Sequence, residues 1–486
     1  MSDLDEITEN NIVDALGDAM QIHQLNSADI EYLYEYYKGN QPVLQRTKEI
    51  RPEICSRIVE NRANEIVSFK VGYLCGEPIQ YIGRESNEHI SSNVQRLNKM
   101  MLAESKATKD KEMLEWQHIS GVGYRFVLPA EAPEDRAAPF EIYTLDPRNT
   151  FVIRSSKVGN RSIAGVHYIQ KVDNTYVYYV YTDKRLYEVH TAGLMSFNPP
   201  EDIVVKDHAL GTIPIIEYPG NNARLGAFEI VLPQLDALNN IASNRMDGIE
   251  QFIQSLMIFY NCQLGEDENG KQITPRYIRQ AGAIFLKSIG QDKADLKILS
   301  EQLDQTQTQV FVDYLYQSIL DICGMPNRNG GSSTSDTGKA VIMRDGWSSA
   351  EARAKDSELM FDLPEREFLQ LVLRICRDLS DLNISADDLD IKFTRRNYED
   401  IQTKSQVLTT MLDNEKIAPH LAFVHCGMFS DPEAAYMESV KYFEKSTDDK
   451  RQGEVSINGA ENGERTPAEN AEDSERTLNN AGGNSQ

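Results

Sequence analysis

The stretch that most invites a chemical interpretation is the glycine- and serine-rich segment at 327–338, which Lys339 follows. A phosphate-binding P-loop needs a glycine, four further residues and then Gly-Lys-Ser/Thr. Here Ser333 stands five positions before Gly338, and Ala340 follows the lysine, so both defining positions fail. No buried strand is predicted before the segment either. The composition therefore predicts a flexible loop and not a nucleotide site.

Other residue types used in catalysis or metal binding form no recognisable arrangement. His420, His425 and Cys426 are close in sequence, but no second Cys/His pair stands at zinc spacing, so we expect packed helix residues. The acidic pair at 387–388 lies in a polar turn and is interpreted as solvated charge. Neither Gly-x-Ser-x-Gly nor His-Glu-x-x-His occurs in the sequence. The sequence thus predicts no enzyme, no metal and no cofactor.

Charge and cysteine content narrow the class of protein further. The chain of 486 residues has a formal net charge of −25, which argues against a protein that wraps nucleic acid with a basic surface. The same charge suits a wall that DNA slides past, because like charges repel phosphates. The scattered cysteines form no C-x-x-C pair and are predicted to be reduced and mostly buried. They are Cys55, Cys75, Cys262, Cys323, Cys376 and Cys426.

Two long helical stretches and the segment between them organise the chain. Apolar residues recur every three or four positions over 233–260 and again over 301–323, which is one face of a helix in each case. At 1.5 Å per residue the first helix would be roughly 40 Å long. The residues between them, 261–300, contain glycine-rich turns and short β-like runs. A small module at the end of a two-helix stalk suits subunits that stand side by side in a ring or tube.

The residues before this stalk predict an α+β domain at 26–222, with its helices first and its sheet second. Helices are predicted at 26–38, 52–69 and 87–120. Short strands are predicted at 79–82, 124–128, 141–145, 150–154, 163–170, 175–181, 186–190 and 213–218. Residues 1–25 are acidic with weak helical periodicity, and we expect a loosely held arm.

The residues after the stalk are predicted to be mainly helical. A long helical stretch at 339–382 contains Pro364, which is expected to kink or break it. A strand at 390–394 follows, and then helices near 398–412, 419–426 and 431–443. The tail at 446–486 is rich in Glu, Asn, Gly and Ser and is expected to be disordered.

Several of these stretches carry a resemblance to a known family. Residues 36–44 read Tyr-Tyr-Lys-Gly-Asn-Gln-Pro-Val-Leu, and residues 71–79 read Val-Gly-Tyr-Leu-Cys-Gly-Glu-Pro-Ile. Together with residues 57–61 and 236–239, they are similar in sequence, order and spacing to segments of the portal proteins of tailed bacteriophages. The chain resembles the head-to-tail connectors of the siphophage type over about 26–445.

The resemblance implies an α+β, mostly helical fold of portal type, with an α/β wing, a long-helix stem, a small α/β clip and a helical crown. Its regions would follow one another along the chain. They are a flexible arm at 1–25, the wing at 26–225, a stem helix at 226–261, the clip at 262–300, a second stem helix at 301–324, the tunnel-loop region at 325–350, a kinked wing helix and strand at 351–397, the crown at 398–445 and a disordered acidic tail at 446–486. The family's pattern gives no role to the tail.

The resemblance also implies a function and a set of partners. Portal proteins form rings of about twelve subunits at one capsid vertex, through which double-stranded DNA is packaged and ejected. Their partners are the terminase large subunit, the head-completion or adaptor protein, the scaffold and the major capsid protein. The expected location is the virion, after assembly in the host cytoplasm. No membrane is expected, because the apolar runs are far shorter than the roughly 20 residues of a span.

Basic residues then become candidate contact sites in an otherwise acidic chain. Lys339 and Arg344 are predicted to touch the DNA backbone weakly at the narrowest part of the channel; the alternative is that they pair with acids on neighbouring subunits. The clip holds six basic residues, which are predicted to dock the motor or adaptor unless they are ordinary surface charge. They are Lys271, Arg276, Arg279, Lys287, Lys293 and Lys297, of which the first four are the favoured docking residues.

Two alternatives of other classes remain at this point. One is a ring protein of the phage tail or baseplate through which no DNA passes. The other is an enzyme whose site the sequence does not reveal. A ring with a central hole near the width of a DNA duplex would exclude a monomeric enzyme.

Overall fold

The structure is a computed structural model of the whole chain. It describes residues 6–84, 88–133, 136–197, 202–253, 256–260, 262–264, 286–288, 295–299, 305–327, 346–394, 401–429, 432 and 435–444. Two compact units are present, Met1–Arg396 and Asn397–Gln486. The first unit combines helices with sheets whose described strand pairs are all antiparallel, so the predicted α+β class is confirmed.

The described helices have clear bounds. They are α1 Ile12–Lys38, α2 Arg62–Leu74, α3 Glu88–Ala103, α4 Lys106–Ser120, α5 Leu232–Ile253, α6 Gln305–Cys323, α7 Trp347–Leu379, α8 Ile401–Leu412 and α9 Pro419–His425. Residues 435–444 are also helical. The break between α3 and α4 lies where one helix was predicted, because Ser105 adopts a left-handed backbone conformation with φ of 52°.

The strands form small antiparallel sheets. They are β1 Gln80–Gly83, β2 Val122–Pro129, β3 Phe140–Leu145, β4 Thr150–Arg154, β5 Ser162–Gln170, β6 Tyr176–Tyr181, β7 Arg185–Thr191, β8 Asp202–Asp207, β9 Ile215–Pro219, β10 Leu256–Tyr260, β11 Cys262–Leu264, β12 Leu286–Ser288, β13 Asp295–Leu299 and β14 Leu389–Lys392. One sheet runs β4-β5-β6-β7-β8 and another β3-β2-β9, while β1-β14, β10-β13 and β11-β12 are pairs. No strand was predicted between 190 and 213, where β8 lies.

Helix α1 corrects the expectation of a loosely held arm at the N-terminus. It begins at Ile12, and Ile12, Leu16 and Met20 are buried against the five-stranded sheet. Leu33 and Tyr36, at its other end, are buried in the main core. The acidic composition of the segment concealed an apolar stripe at spacings of four, and that stripe supplies the burial that stabilises the helix.

Helix α5 is shorter than predicted. It ends at Ile253, and the apolar run that was assigned to its last two turns is the strand β10. β10 pairs with β13 in antiparallel register, with Leu256 opposite Leu299 and Tyr260 opposite Asp295. A short run of large apolar residues fits both periods, so its distant pairing partner decides the outcome.

Two further helix predictions need correction. The helix predicted at 52–69 begins only at Arg62, and residues 56–60 lie alongside α5 instead. Of the kink or break predicted at Pro364, the structure excludes the break, because α7 runs from Trp347 to Leu379 through the proline. Phe361, Glu365 and Phe368, on both sides of the proline, are fully buried, and this packing offsets the backbone hydrogen bond that proline removes.

The second unit has its own small aromatic cluster. The rings of Phe423 and Phe429 stack at 5.2 Å between centroids, and the ring of Tyr436 meets Phe423 edge-on at 5.7 Å. His420 also contacts Tyr436, at 5.7 Å. Cys426 is buried and His420 lies in this aromatic cluster, as predicted for packed helix residues, whereas His425 is exposed.

Candidate functional site

Most of the residues singled out from the sequence lie outside the described residues. These are Lys339 and Arg344 of the predicted tunnel loop and Lys271, Arg276 and Arg279 of the predicted clip. Lys287 lies in β12, where its backbone pairs opposite Gln263 of β11. The roles assigned to these residues therefore stay predictions.

The pair of helices α5 and α6 presents an exposed apolar surface. The two helices contact each other, and Arg245 of α5 donates to the side chain of Gln309 in α6 at 2.9 Å. Leu235 and Leu238 of α5 and Ile319 of α6 are buried in the main core. Further along both helices, large apolar side chains are between 40% and 66% exposed. They are Met246, Ile249, Val310, Phe311 and Tyr314, and we call them the α5–α6 apolar surface.

A surface of this kind needs a partner. Single exposed apolar residues are common, but a group of five on two adjacent helices marks a surface that associates with other protein. Helical periodicity in the sequence predicted an apolar face on each of these two helices. The structure confirms that these apolar side chains are exposed in the single chain.

A ladder of hydrogen bonds fixes the polar stripe of α5 formed by Asn239, Ser243 and Asp247. Asp247 accepts from the backbone N–H of Ser56 at 2.6 Å, and Ser243 accepts from that of Ile58 at 2.9 Å. Asn239 completes the ladder by accepting from the backbone N–H of Glu60 at 2.9 Å. The three helix residues are four positions apart, whereas the backbone donors are two apart.

The match between these two spacings is geometric. Four residues of α-helix rise about 6 Å, and two residues of extended chain advance about 6.6 Å. Every second N–H of the segment at 56–60 therefore meets the next turn of α5. The ladder satisfies backbone N–H groups of a partly buried segment that no sheet pairs.

Asp247 is the charged end of this ladder. It also binds the side chains of Arg46, at 2.9 Å, and Lys48. Burial alone would raise the pKa of Asp247, but the hydrogen bonds from Lys48 and Ser56 outweigh it and lower that pKa to about 2. The carboxylate is therefore ionised at neutral pH and ties two basic residues to α5.

A second polar site is a closed cluster of four charges inside the main core. Lys106 and Asp110 come from α4, Arg125 from β2 and Glu365 from α7, and each side chain is at most 3% exposed. Lys106 Nζ lies 2.6 Å from Asp110 and 2.9 Å from Glu365. Arg125 binds the same two carboxylates, with 2.8 Å to Glu365 Oε2. Each cation thus bridges both anions.

Two tyrosines complete the cluster around Glu365. The hydroxyl of Tyr81 donates to Oε1 at 2.5 Å, and that of Tyr218 donates to Oε2 at 2.7 Å. Burial alone would raise the pKa of Glu365, but the charges of Lys106 and Arg125 and the hydrogen bonds from Tyr81 and Lys106 lower it to about 2. The cluster is neutral in sum and its carboxylates are saturated, so it holds α7 against the sheet and offers no free acid or base.

The buried titratable groups elsewhere are also poorly suited to catalysis. Burial lowers the pKa of His23 to about 4, and burial together with Lys70 lowers that of His118 to about 3. Burial raises the pKa of Cys75 and Cys376 to about 12, so these thiols are unreactive at neutral pH.

No group of three or more His, Cys, Asp or Glu among the described residues could hold a metal ion. In the same part of the chain, no helix is long and apolar enough to cross a bilayer.

Neither polar site was predicted from the sequence. The ladder had a visible signal, because Asn239, Ser243 and Asp247 form a polar stripe at helical spacing. Lys106 and Asp110 are likewise spaced for an ion pair within one helix. No local signal marks Arg125 or Glu365, because their partners lie far away in the sequence.

These features define an α+β protein whose exposed apolar helix surface marks it as a subunit of a larger assembly. The sequence profile of the family described as "Phage portal protein, SPP1 Gp6-like" matches residues 18–453. That match covers most of the chain, so the chain belongs to the SPP1 Gp6-like family of phage portal proteins. The resemblance stated from residues 36–44 and 71–79 is thereby confirmed.

Comparison with solved structures gives more distant likenesses. "Neck of empty GTA particle computed with C6 symmetry" is 11% identical with a TM-score of 0.38, covering 75% of this chain and 90% of that chain. "Virion of native gene transfer agent (GTA) particle" is 10% identical with a TM-score of 0.39, covering 82% of this chain and 94% of that chain. No curated protein matches the sequence. The assignment therefore rests on the family profile.

Proposed function

We propose that this chain forms the portal ring at one vertex of a phage capsid, the channel through which double-stranded DNA is packaged and later ejected. Its membership of the portal family supports this proposal, and the α5–α6 apolar surface is the structural observation that carries it. A closed ring of about twelve copies would cover that surface on every subunit through head-to-tail contacts.

The regions of the ring follow the order of the chain. The wing comprises residues 26–225, to which we add residues 12–25 because α1 packs on the wing sheet. The stem is 226–261 and 301–324, the clip 262–300 and the tunnel-loop region 325–350. Residues 351–397, which include most of α7, would brace the wing. Residues 398–445 would form the crown, and the tail at 446–486 is not needed for ring assembly. The scaffold and the major capsid protein would contact the outside of the ring.

The clip would dock the terminase large subunit first and the head-completion adaptor afterwards. Basic residues in a chain of net charge −25 support this role, because complementary charge guides association. They are Lys271, Arg276, Arg279 and Lys287. Reversing the charge of Arg276 and Arg279 should weaken binding of the motor or adaptor and leave the ring intact, as measured by pull-down with purified partners. Unchanged binding would mean ordinary surface charge.

The narrowest part of the channel would be formed by the tunnel-loop region. Lys339 and Arg344 would touch passing phosphates weakly, while the acidic remainder of the wall prevents tight binding. The glycine- and serine-rich sequence before Lys339 supports a loop that adapts to moving DNA.

The experiment that tests the proposal is the native mass of the purified protein, together with negative-stain images. A ring of about twelve subunits with a central hole near duplex width is the expected result. A stable monomer at micromolar concentration would overturn the proposal. A closed ring without such a hole would instead favour a tail or baseplate protein.

A further inference from the structure

A small cavity of about 30 Å³ lies where α2, α4, the turn at Gly324 and α7 meet. Its polar lining includes Lys70 of α2, His118 of α4 and Arg353 of α7. The backbone turn at Gly324, with φ of +66°, lies close to Arg353: a Cβ there would be 2.7 Å from Arg353 Cγ. The glycine therefore allows the arginine to lie against the turn and at the edge of the cavity.

Nitrogen donors in this cavity lack acceptors. His118 is buried, and its Nε2 has no hydrogen-bond partner in the part of the chain that the structure describes. Neither the ammonium of Lys70 nor the guanidinium of Arg353 forms an ion pair or a hydrogen bond with any described residue. This differs from the core, where Lys106 and Arg125 each bind two carboxylates.

The arrangement of Lys70, His118 and Arg353 is electrostatically unfavourable, because no negative charge in the described lining balances the two cations. Burial lowers the pKa of Lys70, and the charge of Arg353 lowers it further, while Cys323 acts in the opposite direction. Burial and the charge of Lys70 keep His118 neutral, with a pKa of about 3, so its ring can carry a proton on Nε2 and donate it. Two cations and one N–H donor thus converge where the described lining holds no carboxylate. Partly buried charge is costly without a counter-charge.

We propose that the cavity bounded by Lys70, His118 and Arg353 is an anion-binding site that takes one oxyanion or carboxylate group. A volume of about 30 Å³ fits one or two oxygen atoms, and the exposed side chain of Arg353 stands at the opening. Charge-assisted hydrogen bonds from Lys70 and Arg353 and a neutral one from His118 would hold those oxygens. The anion can be free phosphate or a side-chain carboxylate of a neighbouring copy; the second source rests on the proposed ring.

The test measures thermal unfolding of the full-length protein in sodium phosphate and in sodium chloride at equal ionic strength. The variants are Lys70→Met and Arg353→Gln. The matched control is Lys355→Gln, which removes an exposed cation on α7, the helix that also carries Arg353. If the site takes free phosphate, phosphate raises the Tm of the wild type and of the control by about 2 to 5 °C in a saturable way. Neither Lys70→Met nor Arg353→Gln shows the rise.

Other results would assign the anion to a neighbouring copy or refute the anion site. If phosphate has no effect on the wild type, but Lys70→Met and Arg353→Gln lower the assembled fraction at least tenfold relative to Lys355→Gln, a neighbouring copy supplies the carboxylate. If phosphate raises the Tm of all variants equally, or changes neither Tm nor assembly, the anion site is refuted. Should Lys70→Met fail to fold, Arg353→Gln decides alone, because Arg353 is exposed. A monomeric wild type that still shows the phosphate effect would refute the ring and leave the anion site standing.

Discussion

Arg125 Nη1 donates to Glu365 Oε2 across 2.8 Å, and neither side chain is more than 1% exposed. The pair links β2 to α7, and Lys106 and Asp110 complete its charges. We expect Glu365→Gln to reduce the free energy of unfolding by about 3 to 5 kcal/mol, because two buried cations would then share one carboxylate. Urea unfolding followed by circular dichroism measures this loss.

The control for that variant lies one turn away on the same helix. Asp362 pairs with Arg366 at 2.7 Å, but its side chain is 38% exposed. Asp362→Asn should therefore cost about 1 kcal/mol or less. Similar losses for the two variants would contradict a special role for the buried cluster.

The ladder on α5 gives a second prediction. Asn239→Ala removes the acceptor of the Glu60 N–H, and Ser243→Ala removes that of Ile58. Each change should cost about 0.5 to 1.5 kcal/mol, because a partly buried backbone donor loses its hydrogen bond. Thermal unfolding measures it, with Asn240→Ala, an exposed asparagine next to the ladder, as the control. Equal effects at Asn239 and Asn240 would show that the ladder adds no stability.

The dependence of stability on pH follows from the buried histidines. The pKa of His23 is lowered from 6.5 to about 4 in the folded chain by burial, despite its hydrogen bond with the Arg148 carbonyl. The unfolded chain therefore takes up the proton first, so stability is complete above pH 6.5 and is lost as the pH falls toward 4. Between pH 7 and pH 5 this histidine should account for about 2 kcal/mol of lost stability.

Substitution at His23 tests that linkage. His23→Gln should lower the loss between pH 7 and pH 5 by about that amount, since the variant has no ring to protonate. Ser27 and Tyr168 also donate to the Arg148 carbonyl, so this acceptor keeps its partners. His425→Gln, at an exposed position, should leave the pH profile as it is. Superimposable profiles for wild type and His23→Gln would exclude the assignment.

Assembly depends on the α5–α6 apolar surface in the proposed ring. The double variant Phe311→Asp and Tyr314→Asp should weaken association at least tenfold, because each change places a carboxylate in an apolar contact. Sedimentation velocity would show the shift to smaller species. Gln307→Asp adds the same charge at an exposed polar position of α6 and should still assemble. Rings of normal size in the double variant would mean that this surface does not join subunits.

A final prediction concerns DNA in assembled heads. Lys339→Ala and Arg344→Ala should each form normal rings but reduce the amount of DNA that is packaged or retained, as quantified from purified particles. The physical reason is the loss of weak phosphate contacts at the constriction. Lys184→Ala removes an exposed cation in a hairpin of the wing and serves as control. If both variants contain full-length DNA at wild-type levels, the cations of this loop do not contact DNA.

Local patterns in the sequence predicted much of the fold. The strand at 150–154 was predicted with the bounds that the structure has, because apolar residues bounded by turn signals define it. The end of α5 was not predictable, since residues 256–260 fit a helix until β13 is known to pair with them. Arg125 was missed for the same reason. An arginine in a strand predicts a solvent-exposed side chain, and its burial is stable only because Glu365, 240 residues later, pairs with it.

The position of α1 has a consequence for the synthesis of the protein on the ribosome. Its apolar stripe is made first, yet the sheet that covers Leu16 is complete only after β8, and the core around Tyr36 needs residues of α7. Translation adds about 5 to 20 residues per second, so the stripe waits about 10 to 40 s for its sheet, whose last strand ends roughly 190 residues downstream. The nascent chain is therefore a natural client for a chaperone that shields apolar helices until α7 has emerged.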